Sequence, residues 1–112
     1  SAMKGAKLVS IDVYYEIATA AADDFATVEL ERMTMPMDGS LATGAAVSVT
    51  IDTAHDTAAE RKAADEHSMT ITLDTPAFID DGEGYVLVMT VDAAAATVFK
   101  YFGAVVHYEL RV

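Results

Sequence analysis

The stretch SMTITLDTPAFIDDGEGYVLVMTVD, residues 68–92, decides the fold. Its first half alternates strictly. Met69, Ile71 and Leu73 point one way, and Thr70, Thr72 and Asp74 point the other. A two-residue period is the mark of a strand with one face buried and one face wet. Pro76 has no N–H to give to a ladder, so the strand should end there or run along an edge. Asp80-Asp81-Gly82-Glu83-Gly84 supplies turn formers, with two glycines free to take positive φ. Residues 85–91 are β-branched and aromatic enough to form a central strand. The unit reads as strand, crossing loop, strand, the repeating element of antiparallel sandwiches.

Working outward, residues 7–17 (KLVSIDVYYEI) form a first strand, with Val9, Ile11, Val13, Tyr15 and Ile17 sharing a face. Residues 18–24 (ATAAADD) read as a loop, because two aspartates at a helix C-terminus would oppose its dipole. A second strand covers residues 25–35, with Val28 and Leu30 inward, and Pro36-Met37-Asp38-Gly39 ends it as a turn. Residues 45–51 (AAVSVTI) give a third strand. Thr57-Ala58-Ala59-Glu60 then matches a capping box and predicts a short helix around residues 58–66, packed through Ala59 and Ala63, with Ala58 as a further candidate. The last strand, residues 98–112, is apolar on both faces. Phe102, Ala104, Val106, Tyr108 and Leu110 line one, and Phe99, Tyr101, Gly103 and Val105 the other. Such a strand needs a second cover, which is a second subunit or the helix. Gly103 marks a bulge, or a bend where the strand passes between sheets.

The fold class expected is therefore mainly β, an antiparallel sandwich of six to eight strands with one short helix. An open sheet crossed by the helix is the alternative. One domain spans residues 3–112, and Ser1-Ala2 reads as a cloning remnant. With 112 residues the chain buries roughly two-thirds of its unfolded surface without needing a disulfide or metal. There is no cysteine, hence no disulfide frame, thiolate nucleophile or Cys-based zinc site. Missing Asn removes any glycosylation sequon, and missing Trp removes the usual anchor of a sugar-binding face. A net charge of −11 argues against nucleic acid or an anionic membrane as partner. No apolar run approaches a membrane span and no signal peptide is visible, so a soluble protein is expected.

The candidate chemistry is sparse. His55 and His67 flank the predicted helix, His67 suiting its C-terminal dipole, and neither has the i, i+4 spacing of a helical metal pair. Both, and His107, read as structural. Asp80, Asp81 and Glu83 put three carboxylates in four residues without the EF-hand spacing, so a solvated turn is expected rather than a calcium loop. Glu29/Glu31 and Asp23/Asp24 read as outward faces and loop ends, not as a glycosidase pair. No serine sits in G-x-S-x-G, and no phosphate loop occurs. Tyr14, Tyr15, Tyr85, Tyr101 and Tyr108 could form a ligand platform, but core or interface roles are commoner for strand aromatics. No catalytic, cofactor-binding or metal residue is assigned.

KLVSIDVYYEI together with the long segment from His55 to the end resembles small bacteriophage-encoded proteins and terminal modules of virions. The resemblance is one of texture over most of the chain and transfers no functional residue. It implies a sandwich of jelly-roll type that assembles with its own copies, a trimer being favoured, and with other virion proteins. The expected function is thus a non-enzymatic, self-assembling structural protein, such as a capsid decoration or tail-related component. A small carbohydrate- or peptide-binding module is the alternative, and an enzyme with a site composed between subunits is third.

Overall fold

The computed structural model describes residues 6–19, 24–80, 82–92 and 98–110. Its elements are β1 (Ala6–Thr19), β2 (Asp24–Thr34), β3 (Thr43–Val47), β4 (Val49–Ile51), α1 (Ala58–Arg61), β5 (Asp65–Phe78), β6 (Glu83–Asp92) and β7 (Val98–Leu110). They form two antiparallel sheets, ordered β4-β5-β1-β7 and β3-β2-β6. The sheets pack face to face as a β-sandwich 45 × 34 × 21 Å in extent. Among the described residues there are seven strands, one fewer than the eight of a jelly roll.

Alternation places the core. Met69, Ile71 and Leu73 of β5 are at most 2% exposed, beside Ile11, Val13, Tyr15 and Ile17 of β1. Val28 and Leu30 of β2 meet them from the facing sheet. Each such side chain contributes roughly 1.5–3 kcal/mol by leaving water. In β1 the inward row starts at Leu8 rather than Val9, because the register slips between Leu8 and Ser10 against both neighbours. The predicted unit at 68–92 is present, with β5 in the larger sheet, β6 in the smaller and the chain crossing between them, but β6 is an edge strand and not the central strand expected from its β-branched and aromatic residues. Gly82 takes φ +77° in that crossing, where a Cβ would be strained.

Other expectations are refined or corrected. Of the two placements allowed for Pro76 the structure takes the edge: β5 runs on to Phe78, beyond Ile71, Thr72 and Leu73 that pair with β4. Toward β1, Pro76 lies in a wide irregularity, where the pairing jumps from Leu8↔Ala77 to Ser10↔Thr72, so no ladder bond is asked of its nitrogen. The third strand divides at Ser48: β3 pairs with β2 and β4 pairs with β5, so the chain changes sheets there. Gly103, by contrast, keeps β7 within one sheet and makes the expected bulge, with φ +142° and a register shift opposite Tyr14/Tyr15.

The helix ends at Arg61 rather than near residue 66, since Asp65 already belongs to β5. Its packed residue is Arg61, while Ala59 and Ala63 are exposed. The cap itself is as the spacing predicts: the Glu60 amide donates to Thr57 Oγ1 at 3.2 Å, and the Thr57 hydroxyl donates to the Glu60 carboxylate at 2.8 Å. The last correction concerns cover. β7 is an edge strand, and α1 packs against β2, not β7. Residues 20–23 of the expected 18–24 loop lie outside the described residues, while Ala18 and Thr19 continue β1 and Asp24 begins β2.

Candidate functional site

Two features stand out, one polar and closed, the other apolar and open. The polar one lies where the turn after β4 folds back over β5. Asp52 continues the β4–β5 ladder, its amide donating to the Thr70 carbonyl at 3.1 Å. Its carboxylate accepts from the Thr70 and Ala54 amides at 2.7 and 3.0 Å. Asp52 Oδ1 also meets His55 Nδ1 at 2.8 Å, His55 Nε2 meets His67 Nδ1 at 2.9 Å, and His67 Nε2 reaches the Ala63 carbonyl at 2.7 Å. Tyr15 stacks on His67 with centroids 4.6 Å apart, and its hydroxyl donates to the Arg61 carbonyl at 2.8 Å. Arg61 Nη1 donates in turn to the His55 carbonyl at 2.9 Å.

Burial alone raises the Asp52 pKa, but the Thr70 amide, the His55 ring and the Ala54 amide outweigh it and hold the carboxyl below its usual range. Burial likewise pushes Tyr15 up to about 12, with the Arg61 guanidinium opposing and Asp52 adding. A carbonyl and a carboxylate only accept, so His67 Nε2 and His55 Nδ1 both carry hydrogen. The other two ring nitrogens face each other across the 2.9 Å contact between the rings. All four ring nitrogens are thereby engaged within the protein, so neither histidine offers a lone pair to a metal or substrate. This network fastens α1 to the end of the sandwich.

The other sequence candidates stay apart. His107 Nε2 binds Asp12 Oδ2 at 2.7 Å, and Thr70 donates to Asp12 Oδ1 at 2.8 Å, a tie across β7, β1 and β5. The His107 bond and then the Thr70 hydroxyl lower the Asp12 pKa. Glu83 turns toward Arg32 (3.4 Å) and accepts from the Asp80 amide (3.3 Å), while Asp81 lies outside the described residues. Among the described residues, no cluster of three metal-ligating side chains occurs. The five tyrosines do not gather on one platform: Tyr15 is core, Tyr14 faces outward, Tyr101 and Tyr108 share the inner face of β7, and half-buried Tyr85 meets only Tyr101, across the cleft described below. No helix among the described residues is long and apolar enough to cross a membrane.

The open feature is β7 with the cleft beside it. In an antiparallel ladder, opposite residues share a face. Ile17↔Phe99, Tyr15↔Tyr101, Val13↔Ala104, Ile11↔Val106 and Leu8↔Tyr108 therefore assign these β7 residues to the inner face. Their β1 partners are sealed, yet Tyr101, Val106, Tyr108 and Leu110 are 53, 51, 56 and 64% exposed. The facing sheet stops at β6, so β7 overhangs it. Between the two edges opens an apolar cleft of about 290 Å3, lined by Leu8, Ile11, Leu30, Leu87, Tyr101 and Val106 among others. Tyr85 lines it too, its phenol pKa raised by burial against the pull of the Arg32 guanidinium.

The sequence pointed to β7 through its two apolar faces but not to the cleft, which depends on the strand order. It missed Asp52 altogether. The signal for Asp52 is its place just after an alternating strand, three residues before a histidine. No protein-family model, curated protein or solved structure matches the chain, so the case for function rests on the overhanging strand and its cleft.

Proposed function

We propose that the protein is a non-enzymatic structural subunit that assembles with copies of itself through β7, the role that the likeness to virion components implies. One observation carries this reading. Tyr101, Phe102, Val105, Val106, Tyr108 and Leu110 leave the edge strand of the larger sheet largely apolar and exposed among the described residues. Folded chains ordinarily guard such an edge with charge, proline or a bulge, because its free N–H and C=O groups template pairing with another chain. Here the guards lie toward the two ends of the strand, Lys100 and the bulge at Gly103 before its middle and Glu109 near its close. Between Tyr101 and Tyr108 there is no acidic residue, in a chain of net charge −11. That stretch of β7 is thus kept free of the acidic surface.

Light scattering coupled to size exclusion, at low and high salt, tests the proposal. A multiple of 11.9 kDa is expected, favoured by salt that screens the acidic surfaces. A monomer mass at tens of micromolar in both conditions overturns it. Genes for capsid, portal or tail proteins beside its own would support a virion role. The second reading, a small module for peptide or carbohydrate, draws on the same cleft, since an extended peptide can add to an open sheet edge. A monomer that gains thermal stability with an added extended peptide would favour that reading.

A further inference from the structure

The two sides of the sandwich are finished differently. On one side β3 and β4 are the two edges, and the chain runs from one to the other at Ser48, closing that side covalently. On the other side β6 and β7 are the edges, and the cleft opens between them. Four strands face three, and the fourth, β7, keeps Phe99 against the core while the inner face from Tyr101 to Leu110 stays half exposed or more at Tyr101, Val106, Tyr108 and Leu110. Among the described residues the smaller sheet has no strand beyond β6.

We infer that a second copy supplies that strand, and that the supplied strand is its β7, across a two-fold axis parallel to the strands. This rests on the self-association proposed above and gives it a geometry. Asp92 and Val98 are at most about 20 Å apart along the chain, under half the roughly 43 Å length of β7's 13 residues. Both strands line one cleft, so β7 begins where β6 ends and runs back against it. A half-turn about an axis lying along the strands, at the level of the cleft, preserves strand direction and exchanges the layers. It brings each copy's β7 beside the other's β6, antiparallel, as every pairing in this protein already is.

The result is two continuous sheets, each ordered β4-β5-β1-β7-β6-β2-β3, with the last three strands from the second copy. One four-over-three overhang fills the other. The inner faces of the two β7 strands then stack on each other, so that Tyr101, Ala104, Val106 and Tyr108 meet their own counterparts. The contact is self-complementary, as a two-fold interface must be. Tyr101, Val106, Tyr108 and Leu110, each half exposed or more, bring roughly 400 Å2 per copy. The two strand edges and the cleft walls bring the rest of the about 800 Å2 that a stable interface needs. A pair, rather than the trimer implied by the virion likeness, satisfies this geometry.

Because the chain has no cysteine, a single introduced one reports only on its own counterpart. Ala104→Cys lies on the inner face of β7, and Val105→Cys on the outer. With a short bis-maleimide, Ala104→Cys should link into covalent dimers and Val105→Cys should not, while light scattering gives about twice 11.9 kDa for both. Circular dichroism matching the parent chain confirms that each variant folds. A dimer linked at Val105, or at neither position, or a trimer or larger mass, overturns this arrangement and leaves self-association standing. A monomer mass in both salts overturns both.

Discussion

Replacing Tyr15 by phenylalanine removes one oxygen from a side chain that is fully buried. The ring stays, with its stack on His67 and its contact with Phe99 at 5.6 Å between centroids. What is lost is the 2.8 Å hydrogen bond to the Arg61 carbonyl, the link between β1 and the last residue of α1. A buried acceptor deprived of a neutral donor costs about 1–3 kcal/mol. For a domain this size that is a fall in Tm of about 4–12 °C, at roughly 4 °C per kcal/mol. The alkaline limb offers a second readout. An unfolded tyrosine ionises near 10, and folded Tyr15 near 12. Between those values the unfolded chain sheds a proton that the folded chain keeps. Tyr15's contribution is therefore fully present below about pH 10 and lost as pH rises toward 12. Tyr15→Phe should start lower at pH 7 and fall less steeply above pH 10. Urea unfolding followed by circular dichroism, at one fixed chain concentration so that assembly stays constant, measures both. An unchanged midpoint at pH 7, or an alkaline slope equal to that of the parent chain, refutes the reasoning.

Three more outcomes follow from the same coordinates. Thr57→Ala should lower stability by about 1 kcal/mol, read as a shift in urea midpoint with unchanged m, because the Glu60 amide loses its acceptor. Asp52→Asn should destabilise the chain by about 1–3 kcal/mol at neutral pH. Because the Asp52 pKa is lowered by folding, its contribution is present above pH 4 and lost as pH falls through the folded value, so the variant should show a shallower acid limb in a pH series of melts. Thermal unfolding should be the same with chelator as with added calcium, since Glu83 is already engaged by Arg32 and the Asp80 amide. A rise of many degrees with calcium would show that this loop binds it.

What could be read from the residues was whatever a two-residue period encodes. The alternation at Met69, Ile71 and Leu73 gave the core face of β5, and Val28 with Leu30 that of β2. The division at Ser48 was hidden because Val47 and Val49 alternate straight through it, and period cannot report which sheet a strand joins. The helix was overextended because alanines after Arg61 favour helix locally, whereas residues 65–67 pair with Tyr15, Glu16 and Ile17 of β1. That pairing overrides propensity. The His55–His67 contact spans twelve residues and exists only because β4 and β5 are neighbours. Ile51↔Ile71 puts Asp52 opposite Thr70, and the turn then returns His55 over the strand. The exposed β7 was half legible: two apolar faces announced a need for cover, but the strand order was needed to show that neither α1 nor β6 provides it.

The order β4-β5-β1-β7 has a consequence in time. β1 is made before both strands that flank it, β5 and β7, and of these β7 arrives later. Thr19 and Val98 are 79 residues apart by their numbers (98 − 19). At roughly 5–20 residues per second, β1 waits about 4–16 s for its second neighbour. Throughout that interval the nascent chain presents an unpaired edge beside Ile11, Val13 and Ile17.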